Sequence, residues 1–111
     1  MTLDELYTII LDRKTRMPKN SYIASLFREG KDRIIQKVGE EAVEVIFAAA
    51  TFDVAAKGKK KKRIIEETAD LWFHSLILLA SYGISPPDIL SELNLRHEKM
   101  NKKYAMIKKE I

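Results

Sequence analysis

Residues 34–47 read Ile34-Ile35-Gln36-Lys37-Val38-Gly39-Glu40-Glu41-Ala42-Val43-Glu44-Val45-Ile46-Phe47. At about 100° per residue, Ile34, Ile35, Val38, Ala42, Val45, Ile46 and the following Ala49 gather around the direction of Val38. Val43, Phe47 and Ala50 carry apolar character most of the way round. What remains polar is a narrow sector of Lys37, Glu40, Glu41 and Glu44. A half-buried strand would alternate at every second residue, and this segment does not. A helix that is apolar on nearly every side belongs inside a bundle. The pattern predicts an internal helix over Asp32–Ala56.

Outward from this segment the pattern repeats. Ile64, Ile65, Leu71, Trp72, Phe73, Leu76, Leu78 and Leu79 leave one polar arc, spanned by Glu66, Glu67, Asp70 and His74, and predict a helix over Arg63–Tyr82 closed by Gly83. Upstream, Thr2-x-x-Glu5 has the form of a capping box, and Leu3, Leu6, Tyr7, Ile10 and Leu11 give an amphipathic helix ending before Pro18. Ser21 is placed to cap a short helical turn with Tyr22, Leu26 and Phe27, stopped by Gly30. Downstream, Ser85-Pro86-Pro87-Asp88 opens a last helix with Ile89, Leu93, Met100, Tyr104, Ile107 and Ile111 on one stripe. No strand or hairpin signal appears. The expectation is one all-α domain over residues 1–111, a bundle of four main helices.

The chain has 111 residues and no cysteine, which removes disulfides, thiol catalysis and cysteine-based zinc sites. The acidic start Met1-Thr2-Leu3-Asp4-Glu5 lacks a signal-peptide pattern, and the apolar run near Leu71–Ala80 is too short to span a bilayer. Both point to a cytoplasmic protein with no membrane partner. The net charge is +4, from 20 basic and 16 acidic residues. Setting aside Lys57, Lys59, Lys60, Lys61, Lys62 and Arg63 leaves 14 basic against 16 acidic residues, so the basicity belongs to one segment, read as an exposed loop. That makes nucleic acid an unlikely partner, though a helical module binding a polynucleotide through Lys57–Arg63 is the rival reading from a different class.

Two acidic arcs on consecutive, apolar helices carry most of the functional signal. Carboxylates cannot stay ionised in an interior without partners. Glu40, Glu41 and Glu44 on one helix and Glu66, Glu67 and Asp70 on the next have only Lys37 as a local cation. A divalent cation resolves the repulsion, and an all-oxygen donor set points to Mg²⁺, with Mn²⁺ as a substitute. Within each helix Glu41 with Glu44, and Glu67 with Asp70, stand three residues apart and share a face, which makes these four the expected ligands. Glu40 and Glu66 are then supporting groups behind them or ligands to a further ion, and His74 is expected as a supporting residue. Ions among carboxylates with Arg13, Lys37 and Arg96 available as phosphate ligands suit a phosphoanhydride substrate. No phosphate-cradling glycine loop is present.

The run Ser21-Tyr22-Ile23-Ala24-Ser25-Leu26-Phe27, then Gly30, then Gln36-Lys37-Val38-Gly39-Glu40-Glu41-Ala42-Val43-Glu44 resembles the phosphoribosyl-ATP pyrophosphohydrolase family. Arg13 and Pro18 upstream and Glu66-Glu67-Thr68-Ala69-Asp70-Leu71-Trp72-Phe73-His74 downstream fit the same family, over roughly residues 3–96. The second acidic set makes the resemblance specific, since Glu-Glu-x-x-Glu alone indicates only the wider MazG-like superfamily. The resemblance implies a MazG-like bundle completed by a second subunit, and Mg²⁺-dependent hydrolysis of phosphoribosyl-ATP to phosphoribosyl-AMP and pyrophosphate, the second step of histidine biosynthesis. On this reading Glu40, Glu41 and Glu44 form the catalytic acidic set, and Arg13, Ser21, Tyr22, Lys37 and Arg96 contact the nucleotide. The rival within the enzyme class is a MazG-like pyrophosphohydrolase of another nucleoside triphosphate. Two departures stand out: Ile23 replaces the family's frequent Thr, and Arg96-His97-Glu98-Lys99-Met100 continues as helix where many members break. The breadth of apolar surface on the two central helices independently predicts a homo-oligomer, most simply a symmetric dimer.

Overall fold

The structure, a computed structural model, describes the backbone of residues 1–50 and 57–110 and the side chains of residues 1–50 and 58–103. Five helices follow one another: α1 (Leu3–Arg16), α2 (Tyr22–Glu29), α3 (Lys31–Ala50), α4 (Lys57–Ser81) and α5 (Pro86–Glu110). No strand occurs among the described residues, so the fold is all-α. The last residues of the expected 32–56 helix, and the side chains of Tyr104, Ile107 and Ile111, lie outside what is described.

Local chemistry sets most of the boundaries. Thr2 accepts from the Glu5 amide at 3.1 Å while the Glu5 carboxylate accepts from the Thr2 amide at 3.0 Å, the reciprocal capping box. Ser21 Oγ accepts from the Ala24 amide at 3.1 Å and starts α2. At the far end of α4 the Ile84 amide donates to Leu79 and the Gly83 amide to Ala80, a Schellman closure that needs the left-handed φ of 69° at Gly83. Lys14 Nζ adds a third tie there, donating to the Ala80 carbonyl at 2.8 Å and so pinning α1 to the negative end of α4.

One boundary differs from expectation. The lysine run is not a loop but the opening of α4. Lysine is a good helix former, and the single Gly58 is not enough to interrupt a helix that tertiary packing holds further along.

The core is built by Tyr7 and Ile10 of α1, Leu26 of α2, Ile34 of α3 and Leu76, Ile77 and Ala80 of α4. α3 and α4 form the most extensive contact in the chain. On α3 the buried residues are Ile34, Glu41 and Ala48, seven apart, so they form one seam along the helix. That seam is turned about 60° from the centre of the apolar face, where Val38, Ala42 and Val45 are half-buried, and the far side of that face is open to solvent. Ile35, Val43 and Ile46 on α3 and Ile65 and Trp72 on α4 are each at least half exposed. Within one chain these two helices are therefore half internal, as the breadth of their apolar surface predicts. α5 contacts the body mainly through α1 and leaves Leu90, Leu93 and Met100 exposed. The radius of gyration is 18.4 Å, against about 13 Å for a compact domain of this length.

Candidate active site

Burial of the Ile34–Glu41–Ala48 seam against α4 brings Glu41 to the helix pair's interface, 9 % exposed, although its type belongs in water. Opposite it, Glu67 and Asp70 stand three residues apart on α4 and share a face. One carboxylate oxygen from each of Glu41, Glu67 and Asp70 lies within 4.8 Å of the others. The Glu67 carboxyl is pushed above its ordinary value, first by desolvation and then by the charges of Glu44, Asp70 and Glu41, with Arg63 pulling the other way. Glu44 thus acts on the same point in space without adding an oxygen to the converging three. Mutually repelling hard oxygens at this spacing fit a divalent cation, for which carboxylates of this kind are the usual ligands.

Lys37 flanks the set. Its ammonium lies 3.2 Å from Glu41 and 3.4 Å from Glu40 and is only 18 % exposed. The hydrogen bond to Glu41 is the main cause that raises its pKa, against desolvation, with Glu40 and the nearby Tyr22 adding to the rise. Glu40 is held among donors: Gln36 at 3.0 Å, Lys37, and Arg33 at 3.8 Å. It faces cations rather than the other carboxylates. Glu66 likewise points away, to Lys62 at 3.9 Å.

His74 is 5 % exposed and connects two parts of the site. Its Nδ1 lies 2.7 Å from the Asp70 carbonyl oxygen, and its Nε2 lies 2.8 Å from the Tyr22 hydroxyl. Phe73 stacks on Tyr22 with ring centroids 6.2 Å apart and meets His74 edge-on, so the three rings fix one another. Tyr22, on α2, is thereby tied to α4 one turn beyond Asp70.

The remaining expected residues are placed differently. Ser21 uses its oxygen to cap α2. Arg13, near the end of α1, pairs with its neighbour Asp12, which also takes a two-pronged bond from Arg16 and is held down to about 2, chiefly by that bond. Arg96 pairs with Glu92 at 3.0 Å on the exposed face of α5. No described contact joins Arg13 or Arg96 to the acidic set. Arg33, Gln36 and Arg63 were not anticipated. Their spacing was the available signal: Gln36 stands four residues before Glu40, and Arg63 four before Glu67. A separate cleft of about 360 Å³ is lined by Lys14, Met17, Phe27, Gly30, Lys31, Ile34 and Ser81, and none of the acidic residues borders it.

Comparison with known proteins places these residues in a family. Residues 3–97 match the family described as phosphoribosyl-ATP pyrophosphohydrolase. The chain is 51 % identical over 94 residues to a phosphoribosyl-ATP pyrophosphatase of Geobacter sulfurreducens, covering 85 % of this chain and 81 % of that protein. It is 45 % identical over 95 residues to the phosphoribosyl-ATP pyrophosphatase of Pelotomaculum thermopropionicum, covering 86 % and 90 %.

Proposed function

The chain belongs to the phosphoribosyl-ATP pyrophosphohydrolase family, and from that premise we propose how its residues carry out the reaction. It is a phosphoanhydride hydrolase that converts phosphoribosyl-ATP and water to phosphoribosyl-AMP and pyrophosphate, the second step of histidine biosynthesis. The bond between the α- and β-phosphates breaks, the water's oxygen enters at phosphorus, and a proton is released. Residues 1–111 act as one catalytic domain, in the cytoplasm. No described helix is long and apolar enough to cross a membrane.

The observation that carries the assignment of roles is the convergence of Glu41, Glu67 and Asp70. Together with Glu44 they would hold Mg²⁺, which when bound supplies positive charge to the phosphate oxygens. Glu44, lying outside the converging three, is placed to complete the ligand set or to take the water's proton. Lys37, beside Glu41, reaches toward a phosphate oxygen held at the cluster, and Glu40 keeps the lysine extended in that direction. Tyr22, held by His74, contacts the nucleotide. Ser21 accepts from the Ala24 amide and keeps its hydroxyl proton to donate to the substrate, and Arg13 and Arg96, paired with Asp12 and Glu92, keep further N–H donors for a phosphate.

The exposed faces of α3 and α4, with Ile46, Ile65 and Trp72 at 65 %, 68 % and 57 % exposure, support a homodimer in which two copies cover each other. The assigned reaction is tested by ³¹P NMR of purified protein with phosphoribosyl-ATP and with ATP, with and without Mg²⁺. Pyrophosphate released from the first substrate only, and only with Mg²⁺, is the expected result. Equal hydrolysis of ATP would move the chain to the broader triphosphate pyrophosphohydrolases.

A further inference from the structure

The Tyr22–His74–Asp70 chain of hydrogen bonds has a direction. A backbone carbonyl can only accept, so the His74 nitrogen 2.7 Å from the Asp70 oxygen, Nδ1, is the one that carries a proton. In that tautomer Nε2 presents a lone pair. The Tyr22 hydroxyl, 2.8 Å from it, must donate. The phenol's single proton is therefore committed inward, and the oxygen has only lone pairs left for a ligand.

This decides what Tyr22 can recognise. Phosphate oxygens are acceptors and gain nothing from a second acceptor, whereas a ligand hydroxyl can donate to it. Tyr22 is 50 % exposed while His74 is 5 % exposed, so the polarity is set on the protected side and presented on the open side. His74 lies four residues past Asp70 on α4, about 6 Å along the helix axis. A ribose stands off by about one helical turn of this kind from the phosphate it carries. We propose that Tyr22 is a specificity residue that accepts a hydrogen bond from a 2′- or 3′-hydroxyl of the ribose bearing the triphosphate, with His74 as the positioning residue that imposes this polarity. The proposal rests on the polyphosphate binding at the acidic cluster.

The test pairs Tyr22→Phe with phosphoribosyl-ATP and its analogues built on 2′-deoxy- and 3′-deoxy-ATP. The wild-type protein should lose about 5- to 20-fold in kcat/KM on one of the two deoxy analogues, the scale of a single neutral hydrogen bond, mostly through KM. Tyr22→Phe should lose the same factor on the full substrate and nothing further on that analogue. His74→Phe, which keeps a ring beside Phe73 but frees the phenol to donate as well as accept, should reduce the discrimination between ribose and deoxyribose without abolishing it. An equal loss by Tyr22→Phe on all three substrates, or no loss at all, overturns the proposal. Were phosphoribosyl-ATP not hydrolysed by the wild type, the assigned reaction would fail instead. The hydroxyl contact would then be read from calorimetric binding of ATP against its two deoxy forms, where equal affinities refute it.

Discussion

Replacing Lys37 with Met separates the structural and catalytic uses of one side chain. The ammonium sits 3.2 Å from Glu41, with 18 % and 12 % of the two side chains exposed. At an effective dielectric of about 20 the direct attraction has a ceiling near 5 kcal/mol. Desolvation of both groups offsets much of that, and the pair lies between the surface case, at most about 1 kcal/mol, and the buried one, about 3–5 kcal/mol when a partner is removed. We expect Lys37→Met to cost about 2 kcal/mol without Mg²⁺, a fall in Tm on the order of 10 °C for a chain of this size. Saturating Mg²⁺ gives Glu41 another positive partner, so most of this loss should disappear. Turnover should not recover with it. Loss of one charged donor to the reacting phosphates costs about 2–4 kcal/mol in kcat/KM, roughly 30- to 900-fold. Thermal unfolding by circular dichroism at matched protein concentration, with and without Mg²⁺, and steady-state pyrophosphate release provide the two measurements. A Tm loss that Mg²⁺ leaves unchanged, combined with normal kcat/KM, would refute the reasoning and leave Lys37 a structural cation.

Glu44→Ala and Asp70→Ala should each abolish Mg²⁺-dependent turnover while far-ultraviolet circular dichroism stays helical, and near-normal activity in either would remove that residue from the metal site. The raised Glu67 pKa means the folded protein holds a proton there that the unfolded chain has already released. Metal-free stability should therefore fall as pH rises from the unfolded value of about 4.5 through the folded one and then level off. A pH series of melting curves should show this slope in the wild type and lose it in Glu67→Gln; an unchanged slope in the variant contradicts the assignment. In sedimentation at micromolar concentration the wild type should run as a dimer or larger, and Ile46→Glu with Trp72→Glu should shift it toward monomer. An active, monomeric wild type would exclude the subunit arrangement proposed above.

Features encoded within one helical turn could be read from the sequence. The Thr2–Glu5 box, the Ser21 cap and the Gly83 closure each depend on residues at most a few positions apart, and all three form. The three-residue spacing of Glu67 and Asp70 likewise fixed their shared face. What periodicity could not supply was rotation. An apolar face shows that something covers a helix, not whether the cover is the same chain, so the seam through Glu41 was hidden behind the larger apolar surface centred on Val38. That rotation is also why Glu41, and not Glu44, contributes its oxygen to the converging set. The Tyr22–His74 bond joins residues 52 positions apart, and no local pattern announces it. Arg13 is available as a phosphate ligand by residue type, but Asp12 stands next to it in sequence and a carboxylate that close takes one edge of the guanidinium.

The opening of α4 has a consequence for how the protein responds to its solution. Lys59–Arg63 place five cations at the end of a helix that is itself positive, and its first turn holds no acidic residue. Dissolved salt screens both repulsions over about 10 Å at 0.1 M. Ionic strength should therefore influence how firmly the turns of α4 ahead of Glu66 are wound. Those turns are expected to fray in dilute buffer and to tighten in concentrated salt or against a polyanion. The same charges draw anionic ligands toward the helix that carries Glu67 and Asp70, and that attraction weakens under the salt that winds the helix. Helix winding and ligand capture are therefore expected to respond in opposite directions to the same variable.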